Sequence, residues 1–207
     1  MRENSRHGDG LISSGITVTK CLIGINIAIY LVMSMRGNLQ DTSYMIRCGA
    51  LWVPYVTEGE YYRLLAPVFM HFSFIHIFNN MLLLFFMGDV LEAQIGKLRF
   101  LLLYLFTGIF GNMVTCGYEL LTGDFAVSAG ASGAITGVLG ALLILLVLHH
   151  GSLSYLTGPR MAFFVFYTLA GGLASSTTNN AAHIGGLIGG VIFMCILLLL
   201  PHKKDTL

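Results

Sequence analysis

The chain has 207 residues, of which 56% are apolar and only 10% charged, against about 25% charged in an average soluble domain. With a mean hydropathy of +0.78, this excludes an ordinary soluble globule. It also excludes a disordered chain, which needs few apolar residues and high net charge. A net charge of +1 offers no basic surface for nucleic acid. A polytopic membrane protein remains, long enough for about six helices at roughly 20 residues per span.

Residues 1–15 read as a short polar tail that opens Met1-Arg2-Glu3-Asn4-Ser5-Arg6. No short apolar stretch with a small-residue cleavage site follows, so no cleaved signal peptide is expected. The first apolar run covers 16–35. The longest connection, 36–66, carries Trp52, Tyr55, Tyr61 and Tyr62 among few aliphatics. Such rings favour the membrane interface, which places this loop in the headgroup layer. The second run, 67–91, is rich in polar residues: His71, Ser73, His76, Asn79 and Asn80. The third covers 98–118, and the fourth, 129–148, opens with Gly130-Ala131-Ser132-Gly133. The fifth, 161–174, is short for a full span unless it starts in the preceding loop. The sixth, 181–200, follows Asn179-Asn180 and ends at Pro201. The expected architecture is an all-α, six-helix membrane domain over 16–200 with a second short tail over 201–207.

Cys21, Cys48, Cys116 and Cys195 form no CxxC pair and no metal-ligand spacing. Three of them sit in apolar runs and read as small hydrophobes, and the four give no disulfide framework and no metal. Basic residues favour the cytoplasmic side. With the N-terminus inside, Arg2, Arg6, Lys20, Lys97, Arg99, Arg160, Lys203 and Lys204 lie inside, and only Arg36, Arg47 and Arg63 lie outside. The expectation is both termini in the cytoplasm.

In that orientation runs two, four and six all enter from outside. His76, Ser132 and His183 then lie at similar shallow depth, a few residues into their helices. Polar groups inside a bilayer are costly and are functional candidates by default. A lone Gly-x-Ser-Gly more often marks a packing serine, and a lone membrane histidine often bonds a backbone carbonyl. The joint pattern outweighs both. Gly133, Gly137 and Ala141 form a small-residue stripe on run four, and Ala182, Gly186 and Gly190 form one on run six. Such stripes let helix backbones approach closely, here bringing a hydroxyl toward an imidazole. A serine needs an adjacent base before it becomes a good nucleophile. His76 and Asn80, four apart, share a helix face and with the Ser132 N–H can bind an oxyanion. His71, about 140° round a continuous helix from His76, is expected to be structural or water-facing, and Asn79 to bond between helices.

At these residues the chain resembles the rhomboid family of intramembrane serine proteases, from about Tyr61 to Gly190. Gly130-Ala131-Ser132-Gly133 is similar to that family's nucleophile motif. Ala182-His183 with Gly186 and Gly190 is similar to its histidine motif. His71, His76 and Asn80 match its second-helix pattern, in which the resemblance gives the last two an oxyanion role. Gly88, Glu92 and Gly96 match its Gly-xxx-Glu-xxx-Gly pattern. Tyr62-Arg63 stands where the family often has Trp-Arg, and Thr136 stands where it tends to have a large aromatic against the histidine. The resemblance implies a Ser132–His183 dyad, structural roles for Arg63, Glu92, Gly186 and Gly190, no cofactor, and transmembrane proteins as substrates. No acid stands near the dyad's level, and Asn179 and Asn180 are both open as orienters of His183. The bare six-helix form suits a bacterial plasma membrane. An inactive rhomboid-like protein that binds membrane helices is the alternative. A small transporter is disfavoured by the absence of an internal repeat, and a metalloprotease by the absence of His-Glu-x-x-His.

Overall fold

The computed structural model describes residues 16–150, 152–153, 156–173 and 179–200. Both expected tails, with Arg2, Arg6, Lys203 and Lys204, lie outside the described residues, as do Ala174 and Pro201.

Six long helices sit on the six apolar runs: α1 (Val18–Arg36), α4 (Phe74–Ile95), α5 (Lys97–Thr122), α6 (Ser132–Leu148), α7 (Gly158–Leu173) and α8 (Asn180–Leu199). Of these, α1, α4, α5 and α8 are long and apolar enough to cross a membrane, and the 17-residue α6 is a shorter apolar helix. At about 1.5 Å rise per residue, α6 measures roughly 25 Å. Two short helices, α2 (Thr42–Cys48) and α3 (Val53–Thr57), lie in the 36–66 connection. A two-strand hairpin pairs Ser152 with Thr157 and Leu153 with Leu156 between α6 and α7.

Local chemistry fixes the helix ends. The Thr17 hydroxyl accepts from the Lys20 N–H at the start of α1. The Ser73 hydroxyl accepts from the His76 N–H at the start of α4. Asn179 caps α8 through the Ala182 N–H. Each satisfies one of the donors a helix start leaves orphaned. Gly96, with φ +85°, closes α4 and opens α5 without an intervening loop. Such a φ is cheap for glycine and strained for other residues.

The Ser73 cap corrects one expectation. The second run is not helical from its first residue: Ala66–Phe69 is a 3₁₀ turn, and α4 begins only at Phe74. His71 therefore precedes the helix, and no angle around α4 describes its relation to His76.

Twelve of the 17 residues of α6 are buried, the signature of a helix apolar all round and enclosed by neighbours. It packs chiefly on α8, and also on α5 and α4. The seam with α8 is backbone on backbone. A Cβ added to Gly186 would strike the Gly133 carbonyl and the Thr136 hydroxyl, and one on Gly190 would strike the Gly137 carbonyl. Without a hydrophobic drive between helices in lipid, such close packing is what holds them together.

At the opposite end of the bundle Glu92 clasps the start of α1. Its Oε1 accepts from the Val18 N–H, and its Oε2 from the Thr19 N–H and hydroxyl, all at 2.8 Å. A carboxylate at a helix N-terminus also meets the positive end of the helix dipole. Gly88, one turn before Glu92, admits Thr19: a Cβ there would lie 2.8 Å from the threonine methyl. In the 36–66 connection, buried Arg63 donates to the Ile46 and Ala50 carbonyls at 2.7 and 2.9 Å and to Glu60 at 2.6 Å. Tyr55 and Tyr62 flank its guanidinium. The bonds that Tyr62 and Arg63 donate hold the Glu60 carboxyl below its ordinary range.

Candidate active site

Ser132 is the first residue of α6, and His183 is the fourth of α8. The α6–α8 seam brings His183 Nε2 to 2.8 Å from Ser132 Oγ, within hydrogen-bond distance for a hydroxyl donating to an unprotonated ring nitrogen. His183 is buried, and its Nδ1 has no hydrogen-bond partner among the described residues.

His76 reaches the same place from α4. A Cβ on Gly130 would lie 2.8 Å from His76 Nε2 and 3.6 Å from Ser132 Oγ. Gly130, at φ +146°, thus serves twice: it takes a conformation side chains avoid, and it leaves room for the imidazole. Phe72 stacks on the His76 ring with centroids 6.4 Å apart and planes 7° from parallel. His71 abuts it edge-on at 5.0 Å. His71 is itself buried, and its Nε2 stands 3.5 Å from the Ala131 N–H. It thus backs the loop that leads into Ser132.

Asn80 shares the His76 face of α4 and is buried. Its Nδ2 donates to the His76 carbonyl at 3.0 Å, which uses one of the two N–H groups of the amide. The Ala131 cap of α6 contributes no side-chain bond. The first N–H groups of α6 thus have no side-chain acceptor from the cap, at the end of the helix dipole that favours negative charge.

Beside Ser132 lies a cavity of about 20 Å³, lined by Gly108, Asn112, Ser128, Gly130, Asn179 and Ser132 among others. That is room for one water with several polar neighbours. Among the described residues no group of three His, Cys, Asp or Glu side chains can hold a metal ion. Of the remaining residues singled out in the sequence, Gly186 and Gly190 lie in the α6–α8 seam. Glu92 stands at the far end of α4, and Arg63 in the 36–66 connection.

Sequence reasoning passed over a group of residues on α5 and in the loop before α6. Asn112 donates to the Leu64 carbonyl at 2.9 Å. The Thr115 hydroxyl lies 3.1 Å from Asn179 Oδ1, and Asn179 Nδ2 donates to Ser128 Oγ at 3.0 Å. The signal was present in run three: Thr107, Gly108, Gly111, Asn112 and Thr115 recur at helical spacing on one face. Gly111 admits the Ala182 carbonyl, which would lie 2.7 Å from an added Cβ.

Residues 58–200 match the family model described as Rhomboid domain. The chain is 34% identical over 174 residues, 84% of its length, to the rhomboid protease GluP of Bacillus subtilis. It is 34% identical over 143 residues to the putative rhomboid protease YdcA of the same organism, covering 68% of this chain and 70% of that protein. It is 29% identical over 211 residues to the rhomboid protease AarA of Providencia stuartii, covering 91% of this chain and 75% of that protein. The match spans only 33% of GluP.

Proposed function

The chain belongs to the rhomboid family, generally intramembrane serine proteases, and from that premise we propose that it is an endopeptidase cleaving transmembrane segments with a Ser132–His183 dyad. The observation that carries this reading is the 2.8 Å approach of His183 Nε2 to Ser132 Oγ. Serine and base are already at the distance that proton transfer needs.

Ser132 Oγ attacks the scissile carbonyl while its proton passes to His183 Nε2. The carbonyl oxygen takes up the negative charge. The Ser132 backbone N–H, His76 and the free N–H of Asn80 stabilise it. Collapse breaks the C–N bond, and His183 returns the proton to the departing amine. The acyl-serine ester remains. A water, for which the cavity lined by Asn112, Ser128 and Asn179 has room, gives its proton to His183 and attacks the ester. The products are a carboxylic acid and free Ser132. His183 thus acts once as base and once as acid in each half-reaction.

The eight-to-three split of basic residues supports both termini in the cytoplasm, with the dyad toward the outer face of a bacterial plasma membrane. The aromatic 36–66 connection then lies in the outer headgroup layer. In a chain without its native cysteines, Asp124→Cys is expected to react with an impermeant reagent in intact cells, and Thr206→Cys is expected to resist. The reverse pattern contradicts the orientation.

The decisive experiment for the activity is cleavage of a model transmembrane substrate by wild type and by Ser132→Ala. Cleavage lost in Ser132→Ala supports the nucleophile, and equal cleavage by both removes it. Binding without cleavage by the wild type points instead to an inactive, helix-binding member of the family.

A further inference from the structure

We propose that Asn179 is the positioning residue of the dyad, resting on the reading of Ser132 and His183 as nucleophile and base, and that it acts through the first turn of α8 rather than through the histidine ring. In a serine triad a third side chain holds the base by its second nitrogen. Here His183 Nδ1 is buried without a hydrogen-bond partner among the described residues. The neighbouring Asn180 is no substitute, because its Oδ1 is likewise buried and unbonded. The ring is therefore aimed by the placement of its own backbone, which the α6–α8 seam holds along the helix and Asn179 holds at its first turn.

Three bonds from one amide converge on the start of α8, each from a different part of the chain. Oδ1 accepts from the Ala182 N–H at 2.9 Å, which caps the helix one residue before His183. The same oxygen lies 3.1 Å from the Thr115 hydroxyl, which ties the turn to α5. Nδ2 donates to Ser128 Oγ at 3.0 Å. Ser128 is the informative partner. It lies four residues before Ser132, and its backbone exchanges hydrogen bonds with Leu51 at 2.9 and 3.0 Å. It is thus pinned to the 36–66 connection on one side and to Asn179 on the other. The amide joins the segment that delivers the nucleophile to the turn that delivers the base. Loss of the amide frees the two segments to shift relative to each other.

The measurement is kcat and KM for a fluorogenic transmembrane substrate, with melting temperature, on the full chain. Asn179→Ala removes all three bonds and is expected to lower kcat by about 10- to 10²-fold with KM unchanged, since a displacement on the order of 1 Å costs that much. Asn179→Asp keeps the cap and can accept from both hydroxyls, so it is expected to restore kcat to within about fivefold of wild type. Ser128→Ala cuts only the link between the two segments, and its kcat is expected to fall between those of Asn179→Ala and wild type. Three results overturn the proposal. One is Asn179→Ala with kcat within about twofold of wild type. Another is a fall in kcat that Asn179→Asp does not reverse. The third is a Ser128→Ala enzyme indistinguishable from wild type. Failure of the underlying reading looks different: Ser132→Ala then cleaves as wild type does, whatever the Asn179 variants show.

Discussion

Glu92 and His183 are buried to the same degree, 5% and 4% exposed, yet the bundle treats them in opposite ways. At the Glu92 end both carboxylate oxygens are used, by three donors from the first turn of α1. At the serine end, among the described residues, the His183 ring bonds through Nε2 alone, and its Nδ1, His71 Nδ1 and Asn180 Oδ1 are buried without hydrogen-bond partners. A saturated polar network fixes geometry and has nothing left to offer a substrate. An unsaturated one holds groups ready to exchange protons. We read the first as a structural clasp and the second as the place that keeps groups available for the proposed chemistry.

The contrast breaks first at the proposed Ser132–His183 dyad. His183→Ala is expected to reduce cleavage by at least about 10³-fold, comparable to loss of the serine, because the two act as a unit. Its melting temperature should stay near that of wild type. A large thermal loss with residual cleavage would make His183 a structural group like Glu92.

Next in size is the seam that joins the dyad. Gly186→Leu places side-chain atoms on the Gly133 carbonyl and the Thr136 hydroxyl. Overpacking of this kind costs about 1–3 kcal/mol, and separating serine from base should lower the rate by about 10²-fold. Gly186→Ala meets the same two groups with one carbon, and a smaller loss is expected. Ile196→Ala, at an exposed position on the same helix, should change neither rate nor melting temperature. Wild-type behaviour of Gly186→Leu would show that the dyad is assembled by other packing.

His76→Ala and Asn80→Ala should each slow single-turnover cleavage, by up to about 10²-fold, the loss typical of one oxyanion donor. Unchanged rates in both would remove α4 from the chemistry. At the far end Glu92→Ala sharpens the comparison from the other side. It orphans three donors of the α1 start, at about 1 kcal/mol or more each, while cleavage per folded molecule should stay near wild type. A rate that fell without thermal loss would mean that the two ends are coupled.

The helices were legible because the apolar runs are long and the polar residues few. Each run has a helix on it, and the small residues that mark the α6–α8 seam stand at plain helical spacing. The start of α4 was not legible from hydropathy, since Pro67–Phe72 is apolar enough to extend the run. What starts the helix is the Ser73 hydroxyl accepting from the His76 N–H, a local contest that hydropathy alone does not register. For the same reason His71 looked like a helical residue on another face when it in fact backs the Ser132 loop. The short helices α2 and α3 carry no long periodic pattern. The approach of His76, Ser132 and His183 to one another was expected from the spacing of polar residues near the starts of their helices. The Asn179 junction was not, because single hydroxyls such as Thr115 and Ser128 carry no motif or periodic pattern that pairs them with a distant amide.

The most direct test of the central claim is to locate the adduct left by a fluorophosphonate, which reacts with a serine only when that serine is activated by a base. Mass spectrometry of the labelled, digested protein is expected to find one phosphonate, on Ser132, with labelling abolished in His183→Ala. An adduct on another residue, or Ser132 labelled at the wild-type rate in His183→Ala, would contradict the dyad.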